Sequence, residues 1–538
     1  MRPRVSWGAV SLVVACCLVT GCNDGGSATR GTTGPTTPGT APTTPETTTV
    51  PSTVPSTVAS TEPPETSAPQ ATVLDVVTTT AIGPPPAILE WSPTENDLVD
   101  VGSLEVPVDD DDPQGPSMTL AVVRHRAVDA EQRIGALLVN PGGPGFGGSV
   151  YAEQADQIFG DELLSHFDII GWDPRGTGAS VPAVDCIDEY DPYLGIEASP
   201  DTPEEELELR TALAELAAGC VARSGAILDH ITTADAARDM DAIRIALGED
   251  TISYFGFSYG TMLGATWATL FPDTVRAAVF DGSIDPTTGR SQHLLDQAAG
   301  FEQTLQAFLA DCSADPTCPF SNGGDASGAF GELLAEMESS PMATVSGRPP
   351  LVDGVFEVAV AQALYAEEQW PQLASALAAA QRGNGALLLA LYDTYYGRRP
   401  DGSYGNDLEA YFAITCADDP DSAGVDAAVA QRESFEARSQ IGDTLAAELV
   451  ICASFPPLDT AAVAITGAGA GPIVVVGNTG DPATPYEGSR RMAETLEEGV
   501  FVSVDANTHT AYGLNACIDT AIESYLVDLT VPPAGLSC

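Results

Sequence analysis

The residues best suited to chemistry lie in Gly256-Phe257-Ser258-Tyr259-Gly260, between an apolar run at 251–255 and a helical run at 261–270. A strand-to-helix turn of this kind needs glycines to avoid backbone collisions. It also sets the hydroxyl at a helix N-terminus, where the dipole favours developing negative charge. A bare Gly-x-Ser-x-Gly pattern is common, so its setting carries the inference. Serine becomes a nucleophile when a base takes its proton, and the chain has five histidines. His125 lies in an early strand region, His166 and His230 lie away from strand carboxyl ends, and His293 opens a helical region. Only His509 directly follows a predicted core strand, at 500–504, which makes it the expected base.

A third group must hold the imidazole in one tautomer and stabilise its protonated form. Asp481 follows the run 473–476 through Gly477-Asn478-Thr479-Gly480, and a helix expected at 486–496 leads back to the strand before His509. Asp481 and His509 should therefore project from adjacent strand ends. Asp281 and Asp285, beyond the strand after the serine, are the alternative acids. Acyl transfer also needs donors for a developing oxyanion, each worth about 2.7–4 kcal/mol. Asn140-Pro141-Gly142-Gly143-Pro144-Gly145 follows the run 136–139, and the expected donors are the N–H groups of Gly143 and Tyr259. A phosphate-cradling loop is the rival reading, but the Walker lysine is missing and the chain contains no lysine. This chemistry requires no metal or organic cofactor.

The elements that must position these groups are short apolar runs at 136–139, 168–172, 251–255, 277–280, 473–476 and 500–504, alternating with helical sequence. That alternation predicts an α/β fold with a mainly parallel sheet covered by helices on both faces, its ligands at the strand carboxyl ends. Runs at 104–108 and 118–123 flank Asp109-Asp110-Asp111-Asp112-Pro113, read as a solvated hairpin turn in preference to a calcium loop. From about 285 to 471 the pattern becomes helical, as at 293–309 and 355–377, which predicts an inserted helical cap. The expected organisation is a signal peptide at 1–21, a disordered Thr/Pro-rich stalk at 22–86, core at 87–288, cap at 289–470 and core again at 471–538.

The chain has 538 residues, 76 acidic and 21 basic, for a net charge of −55, and every basic residue is arginine. That balance excludes a phosphate-neutralising nucleic-acid binder and weakly suggests cationic substrates. The N-terminus has the charged, apolar and small-residue order of an export signal. Its apolar run is too short to remain as a span. Val19-Thr20-Gly21-Cys22 has the form of a lipobox, which makes Cys22 the expected lipidation site and the outer face of the membrane the expected location, with secretion as the alternative. Eight cysteines remain beyond the signal region. An even number in an exported chain suggests disulfides; chain neighbours give Cys186–Cys220, Cys312–Cys318, Cys416–Cys452 and Cys517–Cys538. Scarce histidine and the absence of Cys-x-x-Cys disfavour zinc.

Together Asn140–Gly145, Gly171-Trp172-Asp173-Pro174-Arg175-Gly176-Thr177-Gly178, Gly256–Gly260 and Asp481-Pro482-Ala483-Thr484-Pro485 resemble the proline iminopeptidase-related α/β-hydrolases, particularly the exported tripeptidyl aminopeptidases of actinobacteria. The likeness runs from about Val101 to Cys538. It implies an α/β-hydrolase fold, a triad of Ser258, Asp481 and His509, and peptides with a free N-terminus as substrates. Relatives commonly place glycine beside the histidine, where this chain has Thr508 and Thr510. The expected activity is release of short N-terminal peptides, with Glu367, Glu368, Asp418 and Asp419 as candidates for binding the ammonium. A carboxylesterase using the same triad is the alternative, and a binding protein on an inactive scaffold is the third reading.

Overall fold

The computed structural model describes residues 89–419, 423–456 and 462–538. The expected signal peptide, Cys22 and the whole of the expected stalk lie outside them. Beyond the two-residue edge strand β1 (Ser92–Pro93), largely apolar runs form strands β2 (Val99–Pro107), β3 (Ser117–His125), β4 (Gly135–Asn140), β5 (Phe167–Trp172), β6 (Ile252–Phe257), β7 (Val275–Asp281), β8 (Ile473–Asn478) and β9 (Gly499–Val504). Among the described residues they make one sheet of order β1-β2-β3-β5-β4-β6-β7-β8-β9. β1, β2 and β3 pair antiparallel, as do β3 and β5. All pairs from β5 through β9 are parallel. β4, β5, β6 and β8 are buried along their whole length, as expected of parallel strands covered on both faces.

One face of the sheet carries helices Thr233–Leu247 and Tyr259–Leu270, and the other carries Asp161–His166 and Ala516–Asp528, while helix Pro203–Ser224 packs against the later helix Asp443–Ser454. Helical sequence between β5 and β6 is expected from the alternation, and helices Pro203–Ser224 and Thr233–Leu247 supply it. Their sequence signal is a capping box at each start, Thr202 with Glu205 and Thr232 with Asp235.

Between β7 and β8 the chain forms a helical roof, beginning with Arg290–Ala314 and ending with Asp443–Ser454. It has its own core, which includes Phe308, Phe330, Phe356, Trp370 and Tyr392. The helical run expected over 355–377 is broken into Asp353–Leu364 and Trp370–Ala380. At the break, the Tyr365 carbonyl accepts the His509 N–H at 2.7 Å, and Ala366 bridges to Thr508. A tertiary partner has replaced the next helical hydrogen bond.

The four bridges expected from chain neighbours are present, joining Cys186 to Cys220, Cys312 to Cys318, Cys416 to Cys452 and Cys517 to Cys538. Such bridges belong to proteins that mature in an oxidising, extracytoplasmic environment. Among the described residues, no helix is long and apolar enough to cross a membrane.

Candidate active site

Ser258 sits between β6 and helix Tyr259–Leu270 with φ 54° and ψ −125°, a conformation that costs a non-glycine residue roughly 1–3 kcal/mol. Its N–H donates to the Asp281 carbonyl at 2.9 Å. The flanking glycines are required by close approach. A Cβ on Gly256 would stand 2.4 Å from the Gly260 oxygen, and one on Gly260 would stand 2.8 Å from the Asn140 oxygen.

The loop after β4 lies directly on this turn. Gly142 and Gly143 have φ of 104° and 109°, and a Cβ on Gly142 would meet Ser258 Cβ at 2.8 Å. Asn140 Oδ1 accepts the Gly142 N–H at 3.0 Å and fixes the loop. Gly143, Tyr259, Ser258 and His509 border one cavity of about 1480 Å³.

His509 and Asp481 leave the adjacent parallel strands β9 and β8. His509 Nδ1 lies 2.9 and 3.0 Å from the two Asp481 carboxylate oxygens, so Nδ1 carries the hydrogen and Nε2 is left as the basic nitrogen. Asp481 also accepts from the Ala483 and Thr484 N–H groups at 3.0 and 2.9 Å and from Thr484 Oγ1 at 3.1 Å. Burial alone would depress the His509 pKa. The Asp481 charge and hydrogen bond outweigh burial and hold it above the usual imidazole value.

Asp281, an alternative acid, is committed elsewhere. Its carboxylate accepts from the Ala511 N–H at 2.9 and 3.0 Å and the Tyr512 N–H at 2.8 Å, clamping the backbone just beyond His509. Burial pushes its pKa up to about 6, against the pull of those backbone bonds. Asp285 borders the cavity and accepts from Thr287.

The threonines flanking His509 are held by Asn478, whose Nδ2 donates to the Thr508 and Thr510 carbonyls at 2.8 and 2.6 Å. Thr510 has φ 66°. That left-handed conformation explains why glycine suits a position beside the histidine, and the Asn478 clamp holds threonine in it.

Of the four acidic residues considered for an ammonium, Asp418 and Asp419 border the cavity, whereas Glu367 and Glu368 do not. Both of the latter belong to a short 3-10 turn at the roof break, where Glu367 accepts from Asn507 at 3.4 Å. Asp418 accepts from the Thr233 N–H at 2.9 Å and Oγ1 at 2.6 Å, and burial raises its pKa to about 6.

The sequence reading missed two other cavity residues. Glu448 pairs with Arg290 and accepts from the Tyr411 hydroxyl at 2.7 Å. His293, set aside as part of the cap, borders the cavity; burial and the Arg290 charge push its pKa down to about 3, so it is neutral. Its helical spacing to Gln297, Gly300 and Thr304 was the available signal. Gln297 donates to the Ala483 carbonyl at 2.9 Å and Thr304 to the Gly480 carbonyl at 3.3 Å, while a Cβ on Gly300 would meet the Pro482 oxygen at 2.5 Å. That helix face braces the loop carrying Asp481.

Arg175, from the motif after β5, is buried and bidentate to Asp239 at 2.8 and 2.7 Å. Among the described residues, no group of three or more His, Cys, Asp or Glu side chains is arranged to hold a metal ion.

Residues 135–515 match the model of the alpha/beta hydrolase fold family. The chain is 34% identical over 477 residues to serine protease Hip1 of Mycobacterium tuberculosis, covering 84% of this chain and 91% of that one. It is 38% identical over 452 residues to carboxylesterase B of the same organism, covering 81% and 85%. To the tripeptidyl aminopeptidase of Streptomyces lividans it is 30% identical over 468 residues, covering 82% and 83%. With a family match across most of its length and the strand order described above, the chain belongs to the α/β-hydrolase family.

Proposed function

We propose that this serine hydrolase is an aminopeptidase that releases short peptides from free N-termini outside the cell, anchored through a lipid on Cys22. The observation that carries the reading is the His509–Asp481 pair, buried and hydrogen-bonded, on the same cavity as the strained Ser258 turn. In this mechanism His509 Nε2 takes the Ser258 hydroxyl proton as the oxygen attacks the scissile carbonyl carbon. The N–H groups of Gly143 and Tyr259 receive the developing oxyanion. His509 then gives the proton to the leaving amine as the C–N bond breaks, forming an acyl-enzyme. Water, deprotonated by His509, attacks the acyl carbon, and His509 passes that proton to the Ser258 oxygen as the ester C–O bond breaks, releasing the peptide acid and restoring the serine.

Acidic groups on the cavity, Asp418 and Asp419 among them, suit a substrate ammonium, and two of the relatives described above are named as a serine protease and a tripeptidyl aminopeptidase. The test compares free and N-acetylated tripeptide chromogenic substrates, with Ser258→Ala as control. Strong preference for the free amine is expected, and equal rates would overturn the exopeptidase reading. A carboxylesterase is the second reading, favoured by the relative of that name. Faster turnover of 4-nitrophenyl esters than of any peptide amide would select it.

A further inference from the structure

Arginine is scarce and carboxylate abundant in this chain, so an arginine without an acidic partner requires explanation. Arg398 follows helix Ala386–Tyr395 and borders the cavity that holds Ser258 and His509. Its Nε is buried with no hydrogen-bond partner, and among the described residues no carboxylate lies within ion-pair distance of its guanidinium. The nearby acids are engaged. Asp191 and Asp393 are both held by Arg348, through contacts of 2.8 and 3.1 Å to the first and 2.8 and 2.6 Å to the second. Arg290, also on the cavity, is neutralised by Glu448.

The surrounding loop nevertheless makes room for this side chain. The Arg398 N–H is tied to the Asp393 carbonyl at 2.9 Å, and the guanidinium carbon lies 5.9 Å from the centre of the Tyr404 ring. At Gly402, with φ 91°, a Cβ would come within 2.8 Å of Arg398 Nη2, so the absent side chain is what accommodates the guanidinium. A planar, permanently charged fork, partly desolvated and lacking an internal anion, is suited to bidentate binding of a carboxylate.

We propose that Arg398 is a substrate-binding residue that receives a carboxylate of the peptide, which rests on the exopeptidase reading above. The preferred substrates are then peptides that present an ammonium to the acidic wall and a carboxylate to Arg398. That carboxylate comes from a free C-terminus or from an acidic side chain.

The test measures kcat/KM for matched substrates on wild type, Arg398→Gln and Arg398→Lys. One arm compares short N-terminally free peptides ending in a carboxylate with their C-terminal amides. The other compares amidated peptides containing Glu or Gln. Wild type should favour the carboxylate about 10- to 100-fold in one arm, the span of a charge-assisted hydrogen bond. The ratio should approach one in Arg398→Gln and be intermediate in Arg398→Lys, with rates on the neutral twins within about twofold of wild type. The responding arm identifies the source. A ratio near one in both arms for wild type, or one unchanged by Arg398→Gln, overturns the inference while peptide turnover stands.

If no peptide is turned over, the exopeptidase reading fails by itself. In that event 4-nitrophenyl monoesters of straight-chain diacids, of increasing length, against their methyl diesters decide whether Arg398 selects a carboxylate. A preference removed by Arg398→Gln supports the assignment, and none at any length overturns it.

Discussion

On the sheet rim, Asp481 accepts hydrogen bonds from a ring nitrogen, two backbone N–H groups and a hydroxyl, and Asp281 clamps the backbone after His509. Across the cavity, the roof holds Arg398 with a buried, unpartnered Nε, and two of its acidic residues are held by only one or two neighbours, Asp418 by Thr233 and Glu448 by Arg290 and Tyr411. The rim is over-determined, as groups that move protons must be. The roof keeps polar capacity for a guest. On the proposed function, chemistry and selectivity fall to different layers, and substitutions in the two should change different kinetic constants.

The largest expected break is Asp481→Asn, which should lower kcat by about 10⁴-fold while leaving KM nearly unchanged, because the imidazole loses its tautomer and its counter-charge. The pH profile sharpens the same point. With the His509 pKa held above 6.5, the neutral base gains population as pH rises, so kcat/KM should climb through a midpoint above that value. In Asp481→Asn the residual activity should have a lower midpoint, since burial is then opposed only by the weaker pull of the Asp281 charge. A profile unchanged by the substitution would deny Asp481 its role.

Next comes Asp281→Asn, which replaces a doubly accepting carboxylate beneath the His509 loop. A loss of about 10- to 100-fold in kcat is expected from a charge-assisted clamp; an effect on KM alone would place Asp281 with the roof. Glu448→Gln, in the roof, should act the other way, raising KM by about three- to tenfold with kcat within twofold, measured on an N-terminally free tripeptide substrate.

The smallest effect concerns Thr510→Gly. It relieves strain of roughly 1–3 kcal/mol but adds about 0.5–1 kcal/mol of unfolded-chain entropy. Activity should persist, with Tm unchanged or a few degrees higher. A marked fall in Tm would mean that the threonine side chain contributes more than its backbone costs.

These contrasts also explain what could be read from the sequence. The strands and the three rim residues were accessible because apolar runs ending in Gly or Asp turns are local signals, and chain order placed Asp481 and His509 on adjacent strands. Disulfide neighbours were likewise near in sequence. The roof was harder. Residues 355–377 have helical periodicity throughout, yet Tyr365 gives its carbonyl to a residue 144 positions later, and no local pattern encodes that. Glu367 and Glu368 were as plausible as Asp418 on composition, and only the fold separates them. Arg398 was invisible for a related reason, since a missing partner can be seen only when all the neighbours are in place.

The bond from the His509 amide to the Tyr365 carbonyl has a further consequence. It latches the proposed general base to the seam between two roof helices, so lifting the roof at that seam would also unseat the imidazole. A guest must therefore arrive and depart around the latch, or else disarm the enzyme while the door is open.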